Sequence, residues 1–158
     1  MKKLILFLIF ALWSISTYSQ HSTITINGLN LSASYSGAQI TAALGIPTNI
    51  RYPSPDDDIP EMTEYHYGSS EFVFQTGDFI DFTIRDTLFK VNNYLGVGMD
   101  SSALNLMGGL LIPGKSPGVY YWAPSENYYN ETGYLIIHTD VSTNKITLIS
   151  GEVAIPLI

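Results

Sequence analysis

The feature of this chain that most restricts its fold is an internal likeness between two segments, whose matching turns, Asn27-Gly28 and Asn92-Asn93, lie about 65 residues apart. Alternating apolar residues surround each turn, and Asn and Gly are the residues that best tolerate the positive φ of a two-residue hairpin. A short helical stretch, a polar loop and three strand-like runs follow each turn in the same order. The repeated order predicts two structurally equivalent units.

The two helical stretches are short and begin at recognisable caps. Ser36 can cap residues 37–44, which end at Gly45, and Asp100 can cap residues 101–107. Helices of about two turns persist only when they pack against other structure. We therefore expect both helices to lie on a sheet.

The strand-like runs alternate apolar and polar residues and are rich in aromatic and β-branched side chains. They are residues 64–67, 71–75, 79–84, 119–122, 134–138 and 145–149. The predicted fold class is α+β, with two tandem units, each a hairpin, a short helix and three antiparallel strands, the sheets side by side and the helices on one face. The predicted boundaries are 1–19 for a signal peptide, 20–87 for the first unit and 88–158 for the second.

Short motifs at the helix ends resemble those of a known family. Leu44-Gly45-Ile46-Pro47 ends the first helix and Val97-Gly98-Met99-Asp100 begins the second, whereas Gly108-Gly109-Leu110-Leu111 replaces the Leu-Gly-x-Pro element after the second helix. The pattern resembles the β-lactamase inhibitor protein fold, which small outer-membrane assembly lipoproteins share. The resemblance implies an open concave sheet face opposite the helices. In the inhibitors, that face grips a protein.

The N-terminus is typical of a cleaved signal peptide. Lys2 and Lys3 precede an unbroken apolar run, residues 4–13, which is about half the length that a membrane-spanning helix needs. Small polar residues follow, and cleavage is predicted near Ser19. The chain has no cysteine, so it lacks both disulfides and the lipid acceptor of a lipoprotein. We expect a periplasmic or secreted protein without stable membrane insertion.

Charge and missing motifs narrow the function. The formal net charge is −7, and two of the 7 basic residues lie in the predicted leader, so nucleic acid is not an expected partner. Nucleophile-elbow, phosphate-loop and His-Glu-x-x-His motifs are absent from the sequence. A non-enzymatic protein without catalytic residues or cofactor is therefore predicted. A hydrolase that pairs His66 or His138 with a nearby carboxylate is an alternative.

An acidic loop, Asp56-Asp57-Asp58, offers oxygen ligands of the kind that calcium prefers. Its spacing does not match an EF-hand loop, and Pro53, Pro55 and Pro60 indicate an extended connector. A solvated loop is predicted, and a calcium site is the alternative.

Large amphipathic rings concentrate in residues 120–134, where they can serve either as core or as a binding surface for protein or sugar. Strand alternation predicts that further residues of the binding surface lie on the sheet face opposite the helices. The predicted binding residues are His66, Phe79, Asp81, Tyr121, Trp122, Tyr128 and Tyr129. The chain is interpreted as an exported binding or scaffold module, acting on a protein or envelope component. A glycan-binding accessory protein is the alternative.

Overall fold

The computed structural model describes residues 23–53, 61–126, 129 and 133–153. The predicted signal peptide (1–19), the acidic residues Asp56, Asp57 and Asp58, and Tyr128 lie outside the described residues. The strands are β1 (Thr25–Ile26), β2 (Leu29–Asn30), β3 (Asn49–Arg51), β4 (Met62–Tyr67), β5 (Ser70–Gln75), β6 (Asp78–Ile84), β7 (Leu110–Pro113), β8 (Val119–Ala123), β9 (Gly133–Asp140) and β10 (Lys145–Val153); the helices are α1 (Gly37–Leu44) and a 3₁₀ helix (Ser101–Leu106).

Strands dominate this mixed α and β structure. Within the described residues, β3 to β10 form an eight-stranded antiparallel sheet in the order β3-β4-β5-β6-β10-β9-β8-β7, and β1 and β2 form a separate hairpin. Two four-stranded meanders thus join at β6 and β10, where Ile84 lies opposite Ile149. Among the described residues, no helix has both the length and the hydrophobicity of a membrane span.

Both helices begin at the caps that the sequence predicted. Ser36 and Gln39 form a capping box at the start of α1, and Gly45, with a φ of 90°, ends it. The Asp100 carboxylate accepts a hydrogen bond from the backbone N–H of Ser102. Hydrogen bonding from Ser102 also lowers the pKa of Asp100. The second helix is of the 3₁₀ type, which the sequence pattern did not distinguish from an α-helix.

One face of the sheet is buried. A row of directly paired residues crosses its middle six strands, and every member is buried: Tyr65, Phe72, Phe82, Gly151, Leu135 and Trp122. Ile40 and Leu44 of α1 and Leu104 of the 3₁₀ helix belong to the same core cluster as the side chains of this row. The hydrophobic core therefore lies between this face and the helices.

Two side chains of the buried face form hydrogen bonds to backbone carbonyls next to the C-terminal ends of the helices. The Tyr67 hydroxyl donates to the Gly45 carbonyl (3.1 Å), and the Trp122 Nε1–H donates to the Gly108 carbonyl (2.7 Å). Burial raises the pKa of Tyr67 to about 12. Each bond satisfies a carbonyl at the C-terminal end of a helix.

The predicted hairpin turns form to different extents. Asn27 and Gly28 both have positive φ and connect β1 to β2, as expected. Asn92 and Asn93 also have positive φ, but the second predicted hairpin, residues 88–95, is reduced to a single bridge between Val91 and Leu95.

The two turns exchange hydrogen bonds reciprocally. The backbone N–H of Asn27 donates to the Lys90 carbonyl (3.2 Å), and Asn27 Oδ1 accepts from the Lys90 N–H (3.0 Å). In the same way, the backbone N–H of Asn92 donates to the Thr25 carbonyl (2.8 Å), and Asn92 Oδ1 accepts from the Thr25 N–H (2.8 Å). Each asparagine side chain therefore acts as a backbone mimic for the opposite turn.

Replacing Asn92 by glycine is expected to lower the free energy of unfolding by about 1–3 kcal/mol, because the Thr25 N–H would lose its acceptor in a partly buried position. Glycine keeps the positive φ accessible, so the loss reflects the buried Asn92 side chain and its bonds to Thr25 rather than backbone strain. Urea unfolding measures it. The control is Asn93→Gly, because Asn93 is an exposed neighbour with the same backbone conformation. This substitution should change the free energy of unfolding by less than about 0.5 kcal/mol. Equal losses from both changes would rule out the exchanged hydrogen bond as the cause.

Two β-bulges change which side chains face the core. In β6, Asp81 pairs with Val73 and Phe79 pairs with Phe74, so Ile80 is an extra residue. The extra residue shifts the alternation by one, and Phe79 is fully buried together with Phe82. The prediction that Phe79 lies on the open face, out of phase with Phe82, was therefore wrong.

The second bulge lies in β10. Leu148 pairs with His138 and Ile146 pairs with Thr139, which leaves Thr147 as the extra residue. As a result Ile149 is fully buried while Leu148 is half-buried on the other face. Strict alternation from the buried Ile146 would instead place Leu148 on the core face.

Candidate functional site

The face opposite the core is partly accessible, although Val73 and Ala123 on this side are buried, and we call it the open face. One row of directly paired residues crosses all eight strands on this side: Asn49, His66, Glu71, Thr83, Ser150, Ile136, Tyr121 and Ile112. Asn49 is exposed and the other members are half-buried. At the usual strand spacing this row is about 34 Å long.

Three side chains on β4 and β5 form an acid–histidine cluster at one end of the open face. Glu64 and His66 are two residues apart on β4 and therefore share a face, and Glu71 on β5 pairs directly with His66. His66 Nε2 lies 3.4 Å from Glu64 Oε2, and His66 Nδ1 lies 3.9 Å from Glu71 Oε2. The Arg51 guanidinium lies 3.4 Å from the same Glu64 oxygen. Both ring nitrogens of His66 thus face carboxylates.

Three tyrosines form a second cluster toward the other end. Tyr121 meets Tyr134 edge to face, with ring centroids 5.6 Å apart, and Tyr129 stacks on Tyr134 at 4.9 Å. All three are half-buried, so each ring keeps part of its surface accessible. This tyrosine cluster combines apolar ring area with polar hydroxyls, which suits contact with protein or sugar.

The structure brings together some of the predicted binding residues and separates others. His66 and Tyr121 share the central row of the open face, and Tyr129 joins Tyr121 through Tyr134. Asp81 is half-buried and lies beside that row. Glu64, Glu71 and Tyr134 were not among the predicted binding residues. A hairpin turn at residues 68–69 could have revealed Glu71, because it pairs His66 with Glu71 by simple counting.

Trp122 is not available for binding. It is fully buried on the core face, and its Nε1–H is used by the Gly108 carbonyl. Strand alternation explains the correction, because Tyr121 lies on the open face and its neighbour must point the other way. The prediction that Trp122 contacts a partner was therefore wrong.

The hydrolase alternative requires a histidine that can activate a nucleophile. His66 has a carboxylate within reach, but its second ring nitrogen also faces a carboxylate, which leaves no nitrogen directed at a hydroxyl. His138 is exposed near the edge of the open face, paired with Leu148 and Val119. The geometry at His66 favours binding a positive charge over activating a nucleophile.

No protein-family model and no curated protein sequence matches this chain. Among solved structures, the chain is similar to a cysteine-rich secretory protein from Staphylococcus aureus subsp. aureus Mu50, with a TM-score of 0.42 and 13% sequence identity. The match covers 77% of this chain and 43% of that protein, so this chain spans less than half of the length of the protein it matches.

Proposed function

We propose that this chain is an exported, non-enzymatic binding or scaffold module that contacts a protein or envelope component through the open face. The observation that carries the proposal is the row of eight paired residues, from Asn49 to Ile112, that stays accessible across the full sheet while the other face is buried. A sheet face left only to solvent usually carries polar side chains. This row instead ends in Ile136, Tyr121 and Ile112, an apolar and aromatic group typical of contact surfaces.

The chemistry of the open face favours a partner with two kinds of group. The acid–histidine cluster offers carboxylates to a basic group, and the tyrosine cluster offers ring surface to an apolar one. The overall charge of −7 also favours a basic partner. The signal-peptide pattern of residues 1–19 supports action outside the cytoplasm, in the periplasm or beyond the cell.

The proposal includes a duplicated architecture, in which residues 20–87 and 88–158 are equivalent units with adjoining sheets and helices behind. Three observations support it: the mirrored strand order of the two meanders, the reciprocal hydrogen bonds of Asn27 and Asn92, and the matching hydrogen bonds from Tyr67 and Trp122 to carbonyls near the helix ends. In such a duplication the open face is one surface built by both units. The first unit would supply the acid–histidine cluster and the second the tyrosine cluster.

Photo-cross-linking tests whether the open face binds a partner. We expect a benzoylphenylalanine at Tyr121 or at Tyr134 to give adducts of the same mass with a component of the producing cell's envelope. The control is the same residue at Leu106, which is exposed on the 3₁₀ helix and away from the open face. Adducts that form equally well from Leu106 would argue against a site on the open face.

Once the cross-linked component is purified, calorimetry measures the contribution of Tyr121. Tyr121→Ala is expected to weaken binding by about 1 kcal/mol or more, as truncation of a contact aromatic does. Tyr94→Ala is the matched control, because Tyr94 is also partly exposed but lies in the turn after Asn93. A loss confined to Tyr94→Ala would place the contact at the turns.

A glycan-binding role is the second candidate, and the tyrosine cluster favours it. Half-exposed rings such as Tyr121, Tyr129 and Tyr134 can stack against sugar rings. A glycan array separates the two roles. Binding to a defined oligosaccharide that Tyr121→Ala abolishes, without a protein adduct in the cross-linking experiment, would support the glycan-binding role.

A further inference from the structure

We propose that the acid–histidine cluster of Glu64, His66 and Glu71 binds a divalent transition-metal cation of the zinc class. The three residues occupy adjacent positions on one face of two paired strands, so the backbone of a rigid hairpin fixes their spacing. One potential ligand atom from each residue lies within 4.8 Å of the others. Cation binding by this cluster does not require the proposed partner, because all three ligands belong to this chain.

Side-chain rotations would bring one atom of each residue to the separations of a zinc site. Zinc lies about 2.0–2.2 Å from histidine nitrogen and carboxylate oxygen, so ligand atoms in a tetrahedral site are about 3.3–3.5 Å apart. His66 Nε2 lies 3.4 Å from a Glu64 oxygen and His66 Nδ1 lies 3.9 Å from a Glu71 oxygen, whereas a single zinc ion binds only one of these nitrogens. Rotation about the side-chain bonds of His66 and Glu71 is therefore needed to bring both carboxylates to the same nitrogen, starting from ligand atoms that lie within 4.8 Å of one another. The backbone need not move.

The ligand types select the class of cation. Imidazole nitrogen together with carboxylate oxygen suits zinc and its neighbours in the first transition row, whereas calcium prefers six to eight oxygen ligands. Three protein ligands on a partly accessible face leave a fourth position for water. The cluster therefore corresponds to an open, three-ligand zinc site.

The charges around the cluster also favour a cation. Glu64 is the most enclosed of the three, with a side chain 14% exposed, while those of His66 and Glu71 are 26% and 40% exposed. A bound cation would stabilise the enclosed, negatively charged Glu64 carboxylate, and the accessible Glu71 side chain gives the cation a path into the site from solvent. The Arg51 side chain is 66% exposed, and such surface ion pairs contribute about 0–1 kcal/mol. A divalent cation can displace the Arg51 guanidinium without disturbing the sheet.

Isothermal titration of the exported chain with zinc chloride tests the site. Every sample carries His21→Ala, so that a histidine beside the expected new N-terminus does not bind metal. We expect one zinc ion per chain, with an affinity that falls at least tenfold in His66→Gln and in Glu71→Gln. The matched control is His138→Gln, which removes an exposed histidine from the same sheet face and should leave the affinity unchanged. Absence of zinc binding, or an equal loss in His138→Gln, would overturn the proposal.

A second measurement uses the chain with all three ligands intact, so it does not depend on whether the variants fold. In NMR spectra, one equivalent of zinc should shift the ring signals of His66 and leave those of His138 in place, and calcium should shift neither. Ring signals of His66 that stay fixed, or that respond to calcium as strongly as to zinc, would contradict a zinc-class site. Both experiments use the isolated chain, so failure to bind zinc and failure to bind the proposed partner are separate outcomes.

Discussion

Replacing Trp122 by alanine is expected to lower the free energy of unfolding by about 3–5 kcal/mol, whereas Tyr121→Ala should cost less than about 1 kcal/mol. The two residues are neighbours on β8 but lie on opposite faces of the sheet. Trp122 is fully buried, so its removal opens a large cavity and leaves the Gly108 carbonyl without its donor. Tyr121 is half-buried, and the ring it contacts, Tyr134, is itself partly accessible.

Urea unfolding followed by far-ultraviolet circular dichroism measures both variants. Fluorescence is unsuitable, because Trp13 lies in the predicted signal peptide and Trp122 would be the tryptophan that remains after export. Trp122→Phe separates the hydrogen bond from the cavity, since phenylalanine keeps most of the ring volume; the missing Nε1–H should cost about 1–3 kcal/mol. If Tyr121→Ala proved as costly as Trp122→Ala, the assignment of the buried and open faces would be wrong.

Local signals in the sequence predicted much of the fold. The Asn27-Gly28 turn, the caps Ser36 and Asp100, and the six predicted strands all occur in the structure. These features depend on a few neighbouring residues, so they can be read from one sequence. Edge strands β3 and β7 were missed, because β3 has three residues that are all exposed and β7 ends at Pro113. The meanders therefore contain four strands where three had been predicted.

The assignment of residues to sheet faces failed where it depended on bulges. Ile80 and Thr147 have no feature of their own that marks them as extra residues, because a bulge is defined by the register of the neighbouring strand. A shift of one residue reverses the face of every side chain beyond it. For this reason Phe79 lies on the core face, whereas strict alternation had placed it on the open face. His66 and Tyr121 were placed correctly because no bulge interrupts their strand pairings.

The candidate site could be predicted only in part for a related reason. His66 was selected from its own strand, but Glu71 belongs to the next strand and approaches His66 only through the hairpin register. Glu64 comes two residues before His66 in the sequence, so strand alternation already places both on one face. The tyrosine cluster was easier to predict because Tyr121, Tyr129 and Tyr134 are close in sequence. The contact between Glu71 and His66, which depends on strand register, was not predicted from either strand alone.

Gly151 is expected to be the least replaceable residue at the junction of the two meanders. A Cβ atom at this position would lie 2.8 Å from Phe82 Cε1, closer than real Cβ contacts, and 3.0 Å from Leu135 Cδ2, which is tighter than most real contacts. The backbone of Gly151 is not in the left-handed region, so the restriction comes from space alone. Phe82 lies directly opposite Gly151 across the β6–β10 pair and is fully buried, so its ring has little freedom to move away.

Gly151→Val is therefore expected to destabilise the chain by about 3 kcal/mol, at the upper end of the cost of overpacking a core, and Gly151→Ala should fall between this variant and the wild type. Urea unfolding gives both values. The matched control is Ser150→Val, which adds the same branched side chain to the adjacent position on the open face and should change stability by about 0.5 kcal/mol or less. Phe82→Leu in the Gly151→Ala background should recover part of the loss, because it removes the ring atoms that the new methyl group meets. If Gly151→Val were as stable as Ser150→Val, the close packing of Phe82 across the junction would be disproved.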